Sequence, residues 1–395
     1  MDTRVVVING ARQCGKSTLA AQIARKTGAA WYSFDRPDTL ESARRDPVSF
    51  VRSAPRMVID EVQRAPDIFL AMKELVDAEP TPGRFLLTGS ARILGLRGLP
   101  DALPGRMETY ELWPLAQGEI EGSPDGFVQA LFSGRPVAHT SDSVRADYAA
   151  RIVRGGFPEA VARSGRRRER FLESYISDLI NRDVIQLAAI ERGHHLRTLL
   201  DLLVGRVGQV FTVAGLARVL GLSQQTVERY IGLLEEVFLI KRVPGWGVAA
   251  NSRATAAPKL AFVDSGVAAG LLGADETSLL RADGPLGPLL ESFVVAEIAR
   301  QLPWVDQTIE LFHYRTRDQV EVDIVLQNRR RQVVAIEVKA SATARDEDFR
   351  GIRHLQARLG DDLTRGIVLY LGHQTLPFGE NLQAVPVDAL WRTPA

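Results

Sequence analysis

One run of residues constrains this chain more than any other: Gly10-Ala11-Arg12-Gln13-Cys14-Gly15-Lys16-Ser17, set between an apolar segment and a helical one. It satisfies G-x-x-x-x-G-K-[ST] in full and sits where the motif requires, after a strand and before a helix. Glycines let the backbone curl so that its N–H groups converge on phosphate oxygens, and the following helix adds the positive end of its dipole. Lys16 brings a point charge to the β/γ-phosphates, Ser17 offers a hydroxyl to Mg²⁺, and Thr18 completes the loop. The strand reads as Arg4 to Ile8 and the helix as Lys16 to Lys26.

A second element strengthens this reading. Met57-Val58-Ile59-Asp60-Glu61 is an apolar strand that ends in two carboxylates. Asp60 is expected in the Mg²⁺ shell and Glu61 beside the water that attacks ATP. The next strand ends Leu87-Thr88-Gly89-Ser90, which puts a hydroxyl from Thr88 or Ser90 next to Asp60, where it could report the γ-phosphate. Arg92 and Arg106 are candidate fingers reaching a neighbouring subunit's nucleotide, which implies a homo-oligomer.

Composition limits the alternatives. The 395 residues allow two or three domains, and 45% hydrophobic with 25% charged residues excludes a wholly disordered chain. Lys and Arg total 49 against 48 Asp and Glu, so any nucleic-acid site must be a local patch. Cys14 is the only cysteine, which excludes an internal disulfide and a cysteine-built zinc site. No apolar run approaches the ~20 residues a membrane helix needs, and no basic segment precedes a cleavable apolar stretch. No membrane contact and a cytoplasmic location are expected.

Strands at Trp31 to Phe34, Met57 to Ile59 and Phe85 to Leu87, with a helix from Ile68 to Val76, alternate with continuous apolar runs. That pattern argues for an α/β fold with a parallel sheet covered on both faces. Past Trp113 the chain turns helical, as at Arg170 to Leu187, and Ala254 to Ala282 is rich in Ala and Gly with no firm assignment. The basic tracts Arg166 to Arg168 and Arg329 to Arg331 read as solvated turns. Four segments are expected: an ATPase core over 1–120, a helical lid or linker over 121–204, a winged helix with connector over 205–282, and a further α/β domain over 283–395.

The loop, the Asp60-Glu61-Val62-Gln63 run and Leu87-Thr88-Gly89-Ser90 resemble the AAA+-like P-loop ATPases of bacteria and archaea. Gly155-Gly156-Phe157-Pro158-Glu159 and the helix through Tyr175 to Arg182-Asp183-Val184 are similar to the segment that follows the ATPase in the same family. The resemblance covers nearly the whole chain and implies ATP and Mg²⁺ as ligands of Gly10 to Thr18. Cys14 is a departure, because this loop position commonly carries a β-branched or small residue.

Val213 to Leu220 forms an amphipathic helix closed by Gly221, and Ser223 N-caps a second helix that runs to about Glu236. Val227, Tyr230, Ile231, Leu234 and Val237 would face the core, with Gln224, Gln225, Glu228 and Arg229 outward. With Phe238-Leu239-Ile240 and the Gly245-Trp246-Gly247 turn, the segment resembles a winged helix. Such a domain binds DNA in origin-recognition ATPases and elsewhere only couples neighbouring modules. Glu228 counts against DNA, since its carboxylate would be repelled by phosphate.

The tail reads as a helix at Leu289 to Gln301, strands near Glu310 to Tyr314, Glu321 to Leu326 and Val333 to Val338, a helix at Asp346 to Leu359 and a strand at Gly366 to Leu371. Glu337 and Lys339 point to one face of their strand, because residues two apart do so. Asp323 on the neighbouring strand and Glu291 on the helix complete a set that could hold Mg²⁺ and orient water against a phosphodiester. This D…E-x-K pattern on an α-β-β-β-α-β order resembles the restriction-endonuclease-like superfamily, with Glu291 as its helical acid. His313, Tyr314 and Arg315 lie close enough to contact phosphate, although an ordinary edge-strand role for His313 is the plainer reading. Two functions follow: an ATPase that gates DNA processing by the tail, or an ATP-dependent signalling or assembly switch whose tail is an inert interaction module.

Overall fold

The computed structural model describes residues 3–89, 103, 105–135, 137–184, 193–247 and 257–394. They divide into two compact units, one of residues 1–114 with 236–238 and the other of residues 115–235 with 239–395.

The first unit is built on a five-stranded sheet in the order β2-β3-β4-β1-β5, from β1 (Val5–Gly10), β2 (Ala30–Ser33), β3 (Met57–Asp60), β4 (Phe85–Gly89) and β5 (Met107–Leu112). Every neighbouring pair is parallel. Valine and isoleucine in β1 suit a strand buried on both faces. Alternation sorts the side chains. Val58 and Leu86 face the small Ala20 and Ala24 of helix α1 (Lys16–Thr27), while Met57, Ile59, Phe85 and Leu87 pack with Ile68, Met72 and Leu75 of a longer helix, Ile68–Ala78. Two short helices unforeseen in the sequence, α2 (Pro37–Arg45) and α3 (Pro47–Arg52), each open with proline at the first turn, where its missing N–H is harmless. The helix Ile68–Ala78 is therefore α4. Because all strands run in parallel, the ends of β1, β3 and β4 share one edge, and Ile8 sits beside Thr88 there.

The second unit begins with helices α5 (Gln117–Glu121), α6 (Phe127–Phe132), α7 (Arg145–Arg154), α8 (Pro158–Val161) and α9 (Gly165–Asp178), a π-helical stretch at Leu179–Val184, and α10 (Gly193–Val204). The tract Arg166 to Arg168 is thus helical rather than a turn. Arginine is a strong helix former, and Arg168 anchors this turn by donating to Ala160 O at 3.0 Å and Arg163 O at 2.6 Å. Arg329 to Arg331 is an exposed turn as expected, with Arg331 in the left-handed region at φ 67°.

Helices α11 (Val213–Leu220) and α12 (Gln224–Glu236) fall where the sequence puts them. Thr212 Oγ1 accepts from Gly215 N at 3.2 Å and Ser223 Oγ from Thr226 N at 3.1 Å, one cap for each helix. Val227, Tyr230, Ile231 and Leu234 are buried, and Gln224, Gln225, Glu228 and Arg229 are exposed. A two-stranded antiparallel pair follows, β6 (Ile240–Val243) with β7 (Lys259–Phe262), so part of the unassigned Ala254 to Ala282 stretch is a strand. The turn at Trp246 is not a free tip. Trp246 N donates to His313 O at 2.6 Å, His313 N donates to Pro244 O at 3.0 Å, and the buried indole packs in the same cluster as Phe312 and Tyr314.

After helices α13 (Ser265–Leu271) and α14 (Glu276–Leu279), the long helix α15 (Leu286–Gln301) is buried over most of its length. Its polar residues are satisfied inside the unit. Ser292 Oγ accepts from Phe262 N at 3.1 Å, Glu297 from Gln117 N at 2.9 Å, and Gln301 from Val128 N at 3.0 Å. The six-stranded sheet runs β12-β13-β11-β10-β9-β8, from β8 (Ile309–Arg315), β9 (Glu321–Asn328), β10 (Val333–Lys339), β11 (Leu363–Tyr370), β12 (Leu376–Gly379) and β13 (Leu382–Pro386). Strands β8, β9 and β10 are antiparallel, and β11 joins β10 in parallel after helix α16 (Arg350–Leu359). A short helix, α17 (Ala389–Arg392), closes the described chain. The architecture is α/β, as expected: a parallel N-terminal sheet, a helical middle and a mixed C-terminal sheet.

Candidate functional site

The loop leaves β1 at Gly10, whose φ is 155° and whose Cβ, if present, would lie 2.2 Å from Leu112 O on β5. Only glycine allows that approach. Asn9, buried before it, accepts from Gly10 N at 3.1 Å. Gly15 stands at the N-cap of α1 and contributes no side-chain cap, so the helix start is left open toward the loop. Lys16 is 5% exposed, and its Nζ donates to two neutral acceptors, Gly10 O at 2.9 Å and Ala11 O at 2.6 Å. Burial pushes its pKa down, partly offset by Cys14, Glu61 and Asp60 nearby. Arg12, Gln13, Ser17 and Thr18 are exposed.

The carboxylates after β3 meet this loop. Ser17 Oγ donates to Asp60 Oδ1 at 2.8 Å, and Thr88 Oγ1, fully buried at the end of β4, donates to the same oxygen. Glu61 takes the left-handed region at φ 56° and accepts a hydrogen bond from Gln63 Nε2. In the sequence Gln63 stands only as the end of the Asp60-Glu61-Val62-Gln63 run, with no role of its own. The buried Cys14 thiol donates to Leu112 O at 3.4 Å, and burial raises its pKa.

The candidate fingers fare differently. Arg106 immediately precedes β5, at the opposite end of the parallel sheet from the loop, and its Nη2 donates to Asp77 Oδ2 at 2.9 Å. Ser90 and Arg92 lie outside the described residues.

In the second unit, β9 and β10 bring Asp323, Glu337 and Lys339 together. Lys339 Nζ donates to Glu337 Oε1 at 2.8 Å, Asp323 N to Glu337 Oε2 at 3.4 Å, and Val338 N to Asp323 Oδ2 at 2.9 Å. Glu291 of α15 reaches the same cluster, but through a residue unforeseen in the sequence. Lys259 of β7 is 2% exposed, and its ammonium lies 2.5 Å from Glu291 Oε1, 2.9 Å from Asp323 Oδ1 and 3.2 Å from Glu321 Oε1. Burial works against the Lys259 charge, yet Asp323 and Glu291 outweigh it and hold its pKa above the ordinary lysine value. Burial, reinforced by Asp323, raises Glu291 well above the usual carboxylate range and pushes Glu337 up to about 7. Among the described residues no three Asp, Glu, His or Cys side chains are arranged to hold a metal ion. Of the expected Mg²⁺ set, Glu291 and Asp323 therefore flank the Lys259 ammonium, and Glu337 pairs with Lys339.

The neighbouring residues expected at phosphate are engaged elsewhere. His313 is buried, its Nε2 is 3.0 Å from Ala257 O, and burial lowers its pKa. Tyr314 accepts from Arg358 at 3.1 Å, and Arg315 donates to Gln319.

Residues 2–121 match the family model described as AAA domain. The N-terminal unit thus has the parallel-sheet α/β fold of a P-loop domain and is similar to the AAA model. Residues 145–278 and 286–390 match two further models, each described as a domain of unknown function, DUF8612 and DUF4143. The uncharacterized proteins Mb2031c of Mycobacterium bovis and Rv2008c of Mycobacterium tuberculosis are each 29% identical to this chain, over 98% of it and 81% of their own length. Two variants of Thermotoga maritima RuvB are similar over 61% of this chain and 82% of theirs, at 21% and 19% identity with TM-scores of 0.29. No helix among the described residues is long and apolar enough to cross a membrane.

Proposed function

We propose that the N-terminal AAA-type unit binds and hydrolyses Mg·ATP, and that its nucleotide state controls the rest of the chain. The observation that carries this is Lys16: a buried ammonium resting on two neutral carbonyls, at an uncapped helix start, beside Ser17 and Asp60. A buried charge without a counter-charge is costly, and phosphate oxygens would supply one. The residues fit the nucleotide, with Gly10 to Thr18 as the cradle and Ser17 and Asp60 as the Mg²⁺ holders. Bound Mg²⁺ would neutralise charge that develops on the β- and γ-phosphates. Glu61, steadied by Gln63, is the general base that takes the proton of the attacking water. Thr88 shares Asp60 Oδ1 with Ser17, so a change at the metal position alters the hydrogen bond that holds the end of β4. Arg106 serves as a finger across a homo-oligomer only if it releases Asp77.

The test is steady-state phosphate release by wild type and Glu61→Gln, with nucleotide affinity measured on both. The variant keeps ATP affinity and loses about 10²–10⁴ in turnover, the range a positioned general base supplies. Unchanged turnover would move the base to another residue.

In this reading the chain works in the cytoplasm, and the helix pair α11–α12 with the C-terminal sheet addresses DNA as a winged-helix and nuclease-like module. DNA added to the assay then changes phosphate release. A second reading, an ATP-dependent assembly or signalling switch, is favoured by Arg242. Its Nη2 pairs with Glu235 at 2.6 Å and its Nη1 with Glu228, so a cation beside the outward face of α12 is already neutralised. Phosphate release indifferent to DNA, with no retardation of duplex or single strands in a gel, selects this second reading.

A further inference from the structure

The restriction-endonuclease-like resemblance implies a divalent metal at Asp323, Glu337 and Glu291, and the residues present do not fit one. We propose that Lys259 is the resident cation of this acid cluster, so that the C-terminal domain binds no divalent metal as folded.

Three observations support this independently of what the P-loop does. The first is occupancy. The Lys259 ammonium lies within 2.5–3.2 Å of carboxylate oxygens from α15 and from two positions of β9, the place where a bridging metal would draw those acids together. The second is the fate of the remaining oxygens. Asp323 gives Oδ1 to Lys259 and Oδ2 to Val338 N, while Glu337 gives Oε1 to Lys339 and Oε2 to Asp323 N. A hard cation needs several oxygens aimed at one point, and each oxygen of these two acids already has a donor. The third is that the lysine is built in. It belongs to β7, where Val243 pairs with Lys259 in the ladder to β6 and Val210 bridges to it from the other side. Gly208, at φ 71°, carries no Cβ, and one placed there would stand 3.1 Å from Glu291 Oε2. The backbone thus closes over the acid from one side while the ammonium pairs with it from another.

Lys259 comes from the segment before the C-terminal domain, whereas the acids belong to that domain's helix and sheet. The lysine therefore joins the two parts of the second unit by charge. It also explains why an intact acid, acid and lysine pattern can persist on β9 and β10 without a metal.

The experiment is a Mn²⁺ titration of the full-length, nucleotide-free protein, read by loss of the free-ion paramagnetic resonance signal. Asp323→Asn is the control that removes a C-terminal site and leaves any P-loop site in place. Wild type and Asp323→Asn should give superimposable curves. Lys259→Ala should gain one additional Mn²⁺ per chain, bound at least tenfold more tightly than any site in wild type, and adding Asp323→Asn to it should abolish that gain. Circular dichroism and ATP affinity show whether the variant is folded. If it is not, the wild-type comparison decides alone. A wild-type Mn²⁺ site that Asp323→Asn removes overturns the proposal, and so does a folded Lys259→Ala that gains no metal. Failure of ATP binding in every sample would overturn the proposed ATPase and leave this result standing.

Discussion

Lys16 and Lys259 are both buried ammonium groups next to carboxylates, and they are held in opposite ways. Among the described residues the Lys16 ammonium donates to two peptide carbonyls, and its neighbour Asp60 accepts from two hydroxyls. Lys259 touches three carboxylates. For the first lysine burial outweighs the nearby Glu61 and Asp60 and pushes its pKa down; for the second the carboxylates in contact outweigh burial and hold its pKa up. An underpaired buried charge is an unfinished interaction, which a ligand completes. A fully paired one is finished within the fold, and breaking it costs stability. The same residue types thus mark the proposed binding site in one unit and the proposed internal joint in the other.

Removing each cation tests that contrast, and the larger effect falls on the joint. Lys259→Met leaves Glu291, Asp323 and Glu321 without their shared partner. Stability should fall by about 3–5 kcal/mol, the usual result of breaking a buried pair from one side. Denaturant unfolding followed at the second unit's tryptophans reads it, and ATP affinity should not move. A loss under about 1 kcal/mol would mean that the acids simply take up protons and that the joint is weak.

Lys16→Met should do the reverse. Nucleotide affinity falls by about 100-fold or more, because a charged hydrogen-bonding partner of the phosphates is gone. Thermal stability should hold or rise, since no carboxylate is orphaned. A marked drop in Tm would show that the Lys16 ammonium is structural after all and erase the contrast.

Cys14 reports on the loop by a smaller effect. Its thiol is 3% exposed and bonded to Leu112 O, so maleimide labelling of the native protein should be far slower than after unfolding in urea. Mg·ATP should slow it further, because labelling needs the loop to open. Labelling equally fast with and without nucleotide would mean that the nucleotide does not grip this loop.

A separate, pH-dependent effect is expected at Asp125 in the second unit. Burial, with Glu297 and Glu119 nearby, pushes its carboxyl up to about 7. The native state keeps a proton that the unfolded state has already lost, so stability falls as pH rises from about 4 through about 7. Asp125→Asn should flatten that part of the pH–stability curve measured by chemical denaturation. An unchanged slope would place the pH dependence on Glu337, whose pKa is raised in the same window, and so return it to the acid cluster.

Elements that bury continuous apolar runs were legible in the sequence to within a few residues. Strands β1, β3 and β4 and helices α1, α4 and α11 each occur where expected, because burial on both faces of a sheet or on one stripe of a helix leaves a periodic trace. The edge strand β5, Met107–Leu112, leaves none: it is polar and mostly exposed, and its ladder with β1 is what makes it a strand. Strands β12 and β13 and helices α2 and α3 were missed for similar reasons of brevity or mixed polarity.

The proposed cradle was legible in the sequence by itself. Glycines, Lys16 and Ser17 are contiguous, so their chemistry is local and a strand on one side and a helix on the other suffice to place it. Tertiary structure decided the rest. Asp60 and Thr88 belong together because β3 and β4 are parallel neighbours, which spacing suggested and the strand order made real. The acid cluster shows the limit. Asp323, Glu337 and Lys339 could be placed on one face by counting residues along two strands, but the cation that Asp323 shares with Glu291 and Glu321 comes from β7, more than sixty residues upstream of Asp323 and outside any motif. A lone lysine before an apolar run carries no sign of its partners. What stands at the centre of those carboxylates was settled by the packing of β7 against α15 and β9, because charge pairing acts through space and leaves no period in the chain.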